Sequence, residues 1–277
     1  MEQLSEFELG RFLIKNNGGV SGFWTYYIIL GFKESKLTNP LEDFIVNKAP
    51  TVLATQQRFA IFQNLLRESI KSNSVVCSIP CGLMQDLQTL EIPSDVTGVR
   101  FIGIDLDQAT MDLAKEFAKK LAVRHLCEFF QQNAWNLQEF QGQFDIITSS
   151  GLNIYEADDK KVVELYKGFY KALRPGGKLI GSALSYPPSA PEKTEWNMAQ
   201  IDARNLMLQK MLFSDILQAT WNHFRTSSES IQQLEAVGFT DIEIHWDTAK
   251  IFYTFEARRL ATGCVKQKRV KGGNRVV

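Results

Sequence analysis

The sequence lacks the features that would assign it at once to several classes of protein. Lys plus Arg and Asp plus Glu both total 31, so no net charge attracts nucleic acid or an anionic membrane surface. The cysteines, Cys77, Cys81, Cys127 and Cys264, do not repeat a Cys-x-x-Cys spacing, which predicts no metal site and favours a reducing compartment. No apolar run reaches the ~18 residues of a spanning helix. We therefore expect a cytoplasmic protein with no metal, no membrane contact and no nucleic acid partner.

What is present is an ordinary globular composition, with 44% hydrophobic and 22% charged residues in 277. This length suits one large α/β domain, or such a domain with an added helical part. Apolar residues recur at helical spacing over 51–70, and we expect residues 1–73 to form an N-terminal helical cap. The aromatic stretch 22–27 within it has two interpretations: packing in a core, or a lid over a ligand.

From residue 74 the pattern alternates between strands and helices. Strand-like segments rich in Val, Ile and Phe cover 74–79, 99–104, 126–131, 144–149 and 178–184. Helical segments at 107–121 and 158–173 separate some of them. Such alternation predicts a parallel sheet covered on both faces, built by right-handed crossovers.

The C-terminal part departs from this alternation. A helical insert is expected at about 185–225, followed by strand-like segments at 241–246 and 251–257. The four residues between these two segments are too few for a parallel crossover, so the segments must pair antiparallel. The α/β domain is thus expected to span 74–259. Residues 258–277 carry seven basic residues and no acidic one, which favours a solvated basic tail at 260–277, with an anionic partner as the alternative.

The turn after the first strand is the first candidate ligand site. In open parallel sheets, ligands bind beyond the carboxyl ends of the strands. Gly82 is the only glycine in the turn 79–84, whereas a dinucleotide site calls for Gly-x-Gly-x-x-Gly around a pyrophosphate. The turn therefore favours an adenosyl ligand without phosphate over a nicotinamide dinucleotide.

The second and third strands end in further candidates. Asp105 follows Gly82 by about twenty residues and ends a strand, where a carboxylate can accept both ribose hydroxyls. Asp107 is better explained as a helix cap. After the third strand, the amide of Asn133 could bond adenine and Trp135 could flank the ring, or the two could form a simple turn with a partly buried tryptophan.

The ordered segments together resemble the class I S-adenosylmethionine-dependent methyltransferases. The resemblance covers residues 74–259 and rests on VVCSIPCG (75–82), FIGIDLD (101–107), QQNAW (131–135), FDIITSSG (144–151) and LRPGGKLI (173–180). AVGFTDIEI (236–244) and FYTFEARR (252–259) are similar to the terminal hairpin of that family. The resemblance implies a Rossmann-like, doubly wound sheet of seven strands in the order 3-2-1-4-5-7-6, mostly parallel with strand 7 antiparallel. It also implies S-adenosylmethionine as cofactor.

Carried over by position, the resemblance implies a cofactor site at the strand tips. Its residues are Pro80, Cys81 and Gly82 at the methionine part, Asp105 at the ribose, Leu106, Asn133, Ala134 and Trp135 around adenine, and Ser149 and Ser150 near the sulfonium. The sequence departs from the family where Ser78 replaces an acid, where Pro80 and Met84 replace glycines, and where Asn133 replaces a frequent aspartate. Asp86 is a substitute partner for the ammonium group of the cofactor.

The acceptor of the methyl group is expected to be a small molecule that presents oxygen or nitrogen. Its pocket should lie between the N-terminal helices and the insert, with Tyr26, Tyr27, Arg58, Tyr186 and His223 as candidate lining groups. In-line methyl transfer depends chiefly on alignment of the reactants, so we assign no catalytic base, although His223, His125 or Tyr155 could assist. The alternatives are a nicotinamide-dependent oxidoreductase, or a non-catalytic binding protein that keeps the fold.

Overall fold

Seven strands form one sheet in the order β3-β2-β1-β4-β5-β7-β6 in a computed structural model that describes residues 1–34 and 36–261. The strands are β1 (Val75–Ser78), β2 (Arg100–Asp105), β3 (Cys127–Gln131), β4 (Phe144–Ser150), β5 (Leu173–Leu184), β6 (Phe239–Trp246) and β7 (Phe252–Arg259). The strands β1 to β5 pair in parallel, whereas β7 pairs antiparallel with both β5 and β6. The predicted strand order and the antiparallel terminal hairpin are confirmed.

Helices cover both faces of this sheet because successive strand residues point to opposite sides. On one face, Cys77, Ile104 and Ile147 pack under the helices α8 (Asp159–Ala172) and α10 (Ser227–Val237). On the other face, Val76 and Phe101 pack under α5 (Pro50–Ser69) and α7 (Gln108–Lys120). A single turn of helix, α6 (Gln85–Gln88), follows β1. This double covering leaves the carboxyl ends of the strands as the open edge of the sheet.

The N-terminal helices stand above that edge. They are α1 (Glu2–Ser5), α2 (Glu8–Lys15), α3 (Gly22–Ile29) and α4 (Pro40–Asn47), and they lead into α5. Leu9, Leu13, Ile28 and Ile45 bury their side chains in a separate hydrophobic cluster, which we call the cap core. Phe213, far along the chain, completes the cap core.

The insert after β5 is helical over part of its length. A short 3₁₀ segment (Met198–Gln200) precedes α9 (Ala203–Gln209), which runs into a π-helical segment (Lys210–Ile216). The residues on either side, 185–197 and 217–226, form turns and irregular chain rather than the long helix expected. Gln209 at the end of α9 accepts a hydrogen bond from the backbone N–H of Thr51, 2.6 Å away, and so ties the insert to α5.

Two sequence expectations concern chain segments at the ends of elements. The Pro-Gly-Gly run, residues 175–177, lies inside β5 as a bulge. Phe144 pairs with Leu173 and Ile146 pairs with Lys178, so a step of two residues along β4 matches a step of five along β5. The expected basic tail, 260–277, lies almost wholly outside the described residues. Within residues 1–34 and 36–261, none of the helices combines the length and the apolar character needed to cross a membrane.

Candidate functional site

The open edge of the sheet encloses a cavity of about 340 Å³, which we call the strand-tip cavity. The loops after β1, β2 and β4 form its floor and walls, and α3 forms its roof. Its volume lies within the range of roughly 300–1,000 Å³ that is usual for small-molecule sites. The site therefore occupies the position that the strand order predicts for a ligand.

The loop after β1 is fixed by backbone hydrogen bonds to β2. Cys81 N–H donates to the carbonyl of Ile104 at 2.9 Å, and Gly82 N–H donates to Oδ2 of Asp105 at 2.9 Å. The other carboxylate oxygen of Asp105 accepts from Asp107 N–H at 3.0 Å. Gly82 has φ +51°, a left-handed conformation that suits glycine, and Met84 adopts φ +55° without that advantage. Asp105 thus ties together the loops after β1 and β2.

A second carboxylate, Asp86 at the start of α6, faces the same cavity. Its Oδ2 accepts from the hydroxyl of Thr148 at 2.9 Å and from that of Ser78 at 3.2 Å. Burial raises the pKa of Asp86 above its ordinary value, and the two hydroxyl donors offset part of that effect. Within the described residues, Asp86 forms no salt bridge. Its carboxylate is complementary to a cationic group in the cavity.

The helix α3 packs directly on the loop after β1. A Cβ added to Gly22 would come 2.5 Å from Cγ2 of Thr110 and 2.9 Å from Cα of Gly82, so only glycine permits this approach. Thr25 and Tyr26, on the same helix, line the cavity. Burial, and to a smaller extent Glu34, raises the pKa of Tyr26, which keeps its hydroxyl protonated at neutral pH. Both interpretations of 22–27 have geometric support, because Thr25 and Tyr26 line the roof of the cavity while Trp24 and Tyr27 pack against the cap core.

A second cavity of about 120 Å³ opens beside the first, beneath the cap core. We call it the Arg58 cavity, because Arg58 of α5 is buried in its wall. Ser150, Gly151 and Tyr155 line both cavities, so the tip of β4 and the turn after it form their junction. Burial lowers the pKa of Arg58 to about 10, which leaves the guanidinium charged at neutral pH.

The structure brings together part of the predicted cofactor site. Pro80, Cys81, Gly82, Asp105 and Ser150 all line the strand-tip cavity. Ser149 is buried at the end of β4 and does not line it. Asp107 lines the cavity and also caps α7, where its Oδ1 accepts from Ala109 N–H at 3.0 Å, as its capping interpretation requires.

The residues predicted around adenine lie beside this cavity rather than in its wall. Leu106 is 67% exposed next to β3, where Gln131 donates a hydrogen bond to its carbonyl. Asn133 is exposed, and its Oδ1 accepts from Trp135 N–H in a turn. The indole N–H of Trp135 donates to the carbonyl of Lys161 on α8. Ala134 is half-buried against the core of the sheet. Their roles toward adenine remain predictions.

The predicted acceptor residues are divided between different places. Tyr26 lines the strand-tip cavity and Arg58 lines the second cavity. Tyr27 donates a hydrogen bond to Glu42 on the other side of α3. Tyr186 packs against Phe224 and Lys193. His223 is half-buried, and its backbone N–H donates a hydrogen bond to the carbonyl of Ile154. Tyr186 and His223 line neither cavity.

Sequence reasoning missed several groups that line the two cavities. They are Ser21 and Thr110 in the strand-tip cavity, and Thr51, Thr55, Phe213, Trp221 and Phe252 in the Arg58 cavity. One signal was available: Ser21 followed by Gly22 marks a helix start with close backbone approach. The others come from elements whose packing no local pattern reveals.

The candidate bases differ in position. Tyr155 lies at the junction of the cavities, and burial raises the pKa of its hydroxyl, which favours a hydrogen-bond donor over a proton acceptor at neutral pH. His125 is exposed just before β3, at the opposite edge of the sheet. The Cys81 thiol lines the cavity, but burial and the carboxylates of Asp105 and Asp86 raise its pKa well above the ordinary value, so it is not a ready nucleophile.

One group of side chains within the described ranges has the composition of a metal site. Glu243, His245 and Glu256 approach one another on β6 and β7, away from both cavities. Lys178 already supplies a cation to Glu256 through an ion pair. His245 Nε2 lies 3.6 Å from the other carboxylate oxygen of Glu256.

Comparisons with known proteins agree with this geometry. A family model for a methyltransferase domain matches residues 81–177. The solved structure of a possible exported protein from Bordetella parapertussis is 38% identical, covers 94% of this chain and 86% of that chain, and has a TM-score of 0.90. No curated protein matches the sequence.

Two more distant solved structures share the fold. An S-adenosylmethionine-dependent methyltransferase from Methanosarcina mazei is 15% identical, covers 71% of this chain and 97% of that chain, and has a TM-score of 0.51. A geranyl diphosphate methyltransferase, solved in complex with S-adenosylmethionine, is 12% identical, covers 75% of this chain and 88% of that chain, and also has a TM-score of 0.51.

Proposed function

The chain belongs to the class I S-adenosylmethionine-dependent methyltransferase family, and on that basis we propose that it methylates a small molecule at oxygen or nitrogen. The observation that carries the proposal is the contact between Gly82 N–H and Asp105 at the wall of a cavity formed by strand tips. This contact places a carboxylate and an open stretch of backbone beside the space that a nucleoside would fill.

The residues present fit S-adenosylmethionine. Asp105 would hold the ribose hydroxyls, since each carboxylate oxygen that accepts one backbone N–H still has a free lone pair. Asp86 would hold the ammonium group in place of the acid that Ser78 replaces, because its carboxylate lines the cavity without an ion pair among the described residues. Asn133, Ala134 and Trp135 would border adenine at the neighbouring strand end.

When bound, S-adenosylmethionine would supply a methyl group on a positively charged sulfur, which is a good leaving group because it departs as a neutral thioether. The protein's own residues would align the cofactor with the acceptor and surround them. Gly22 and Tyr26 form part of the roof of the strand-tip cavity, and Gly82 forms part of its floor. Tyr155 can donate a hydrogen bond to an acceptor at the junction of the cavities. Orientation of this kind lowers a barrier by several kcal/mol without a side-chain nucleophile.

The nicotinamide alternative has little support in the first loop. A pyrophosphate needs several glycines at a helix N-terminus, whereas Pro80 and Met84 flank Gly82 and the helix that follows, α6, has a single turn. The non-catalytic alternative remains as the other outcome of a binding test. We also propose the cytoplasm as the compartment, because the described cysteines Cys77, Cys81 and Cys127 are free thiols.

The test is calorimetric titration with S-adenosylmethionine and with its demethylated product. We expect both to bind, and Asp105→Ala to weaken binding by about 1.5–3 kcal/mol, the usual range for hydrogen bonds to a charged group. Asp105→Asn keeps an acceptor for Gly82 N–H and loses only the acceptor for Asp107 N–H, so a loss that it shares with Asp105→Ala does not come from the contact with Gly82. Asp112→Ala, an exposed carboxylate on α7, serves as the matched control. No binding of either compound to the wild-type protein would end the enzyme interpretation.

A further inference from the structure

The Arg58 cavity has a lining of unusual composition. Its wall is largely apolar and includes Leu13, Ile28, Ile45, Phe213, Trp221 and Phe252. The polar groups on α5 are Thr51, Thr55 and Arg58, which follow one another at intervals of about one helical turn and so share one face. An apolar pocket with one cation is complementary to a small apolar molecule with one negative charge.

Arg58 itself has almost no partner. It is 7% exposed, its guanidinium lies 4.3 Å above the centre of the Phe252 ring, and the one hydrogen bond that it makes among the described residues is a 3.4 Å contact from Nη1 to the hydroxyl of Ser182. Tyr155 and, to a smaller extent, Asp247 interact electrostatically with its charge, but the Asp247 carboxylate accepts hydrogen bonds from the backbone N–H groups of Ala249 and Phe252. No carboxylate within residues 1–34 and 36–261 forms an ion pair with Arg58.

The other buried arginine shows what a structural role looks like. Arg225 is 4% exposed, and its guanidinium donates to Asp159 at 2.8 Å and to the carbonyls of Asn153 and Glu156 at 2.9 and 2.7 Å. Burial of a charge is costly unless it is paired and hydrogen-bonded, and Arg225 meets that condition. Arg58 does not meet it, so its planar fork of N–H donors remains available to a ligand in the cavity.

The Arg58 cavity also reaches the place where chemistry would occur. Ser150, Gly151 and Tyr155 line both cavities. A Cβ added to Gly151 would come 3.2 Å from Nη1 of Arg58, so the turn after β4 passes directly beside the guanidinium. A molecule held on Arg58 therefore lies next to the strand-tip cavity.

We propose that the Arg58 cavity is the acceptor pocket and that it binds a small apolar carboxylic acid, whose carboxylate pairs with the Arg58 guanidinium. This inference rests on the proposed function, which supplies the role of acceptor. A carboxylate fits better than a phosphate because a single guanidinium matches one negative charge and two coplanar oxygens. The volume of about 120 Å³ limits the apolar part to one ring or a short chain.

The test compares the affinity of carboxylates with that of uncharged or differently charged analogues, in the wild-type protein and in two Arg→Met variants. Benzoate, cinnamate and hexanoate are titrated against their amides and against benzenesulfonate and inorganic phosphate, with and without saturating S-adenosylhomocysteine. We expect the wild-type protein to bind at least one carboxylate about tenfold or more tightly than its amide, and Arg58→Met to abolish that preference. Arg67→Met, the same change on the exposed end of α5, should retain it.

The melting temperature separates a ligand-binding role from a structural one. Since Arg58 is buried without an ion pair, Arg58→Met should leave the melting temperature of the ligand-free protein unchanged or raise it, whereas loss of a structural arginine would lower it. Equal affinity for carboxylates and amides, preference for phosphate, or an unchanged carboxylate preference in Arg58→Met would overturn the inference. Carboxylate selectivity without binding of S-adenosylhomocysteine would instead leave the pocket standing and remove the proposed function.

Discussion

The two cavities at the open edge of the sheet are opposite in chemical character. The strand-tip cavity is lined by the carboxylates Asp86 and Asp105, whereas the Arg58 cavity has an apolar wall and a buried guanidinium. A cofactor with a positive sulfonium and an ammonium group suits the first, and an anionic acceptor suits the second. The distribution of charge thus favours the methyl donor in the strand-tip cavity and the methyl acceptor in the Arg58 cavity, on either side of the tip of β4.

The cavities also differ in how the chain builds them. Most of the floor of the strand-tip cavity comes from loops that follow strands in sequence order, between Ser78 and Tyr155. The Arg58 cavity joins residues as distant as Leu9 and Phe252. The shape of the strand-tip cavity depends on the sheet, which many backbone hydrogen bonds stabilise. The shape of the Arg58 cavity depends on side-chain packing in the cap core. Mutations should therefore affect the two cavities separately.

The largest effect should come from Phe213→Ala, in the wall of the Arg58 cavity. Phe213 is 6% exposed in the cap core, so its truncation should lower the free energy of unfolding by about 3 kcal/mol, in the usual range for a buried phenylalanine. Affinity for S-adenosylmethionine should change by less than about threefold, since the change lies outside the strand-tip cavity. Urea unfolding and calorimetry measure the two quantities.

The control for this prediction is Met207→Ala on α9, where the side chain is 57% exposed and the expected loss is below about 0.5 kcal/mol. If Phe213→Ala abolished cofactor binding in the folded protein, the two cavities would be coupled through the cap, and their contrast would no longer hold.

A smaller effect is expected from Gly22→Ala, at the contact between the cap and the loop after β1. The new Cβ would clash with backbone at Gly82, so α3 must shift, with an expected loss of about 1–2 kcal/mol in unfolding free energy and about tenfold in cofactor affinity. Gly168→Ala on α8 is the matched control. Its new Cβ would meet its nearest neighbour at 3.9 Å, and better helix propensity should raise stability by about 0.5–1 kcal/mol. Unchanged cofactor affinity in Gly22→Ala would show that α3 is not a functional roof.

The same contrast explains what the sequence could predict. Strand periodicity and the four-residue link between the last two segments predicted the strands and the antiparallel hairpin, because both are local properties. The order of the strands in the sheet was implied by the resemblance to the methyltransferase family, and the structure has that order. The neighbouring positions of Gly82 and Asp105 followed from the parallel sheet. The N-terminal helices and the insert were expected to flank one pocket, but the residues through which they meet could not be predicted, since an apolar helix face can pack on many surfaces. Thr51 meets Gln209 across 158 residues, and no local signal encodes that contact.

The turn at Pro175 shows a different limit. The fifth strand-like segment was predicted to begin at residue 178, after Pro-Gly-Gly, yet the strand begins at Leu173 and the Pro-Gly-Gly residues form a bulge within it. A pairing between Phe144 and Leu173 extends the ladder past the turn chemistry. Tertiary pairing of this kind overrides the local preference of proline and glycine.

The smallest expected effect is also the most specific, and it comes from Asp86→Asn. Because burial raises the folded-state pKa of Asp86 above 3.8, the folded chain holds that proton more tightly than the unfolded chain. The free energy of unfolding of the wild-type protein should therefore fall as the pH rises from about 3.8 through the raised pKa, and Asp86→Asn should remove this loss. The variant should be at least as stable as the wild type at pH 7, although it binds S-adenosylmethionine about tenfold more weakly for want of a partner to the ammonium group.

Thermal unfolding between about pH 4 and pH 7 measures the stability, and calorimetry at pH 7 measures the affinity for S-adenosylmethionine. Asp95→Asn, an exposed loop carboxylate, provides the control and should change neither quantity. A variant that is less stable at pH 7 and binds the cofactor normally would make Asp86 a structural acid that organises Ser78 and Thr148. In that case Asp86 would no longer count as a group that binds the cofactor, and the contrast with the Arg58 cavity would depend on the carboxylates of Asp105 and Asp107.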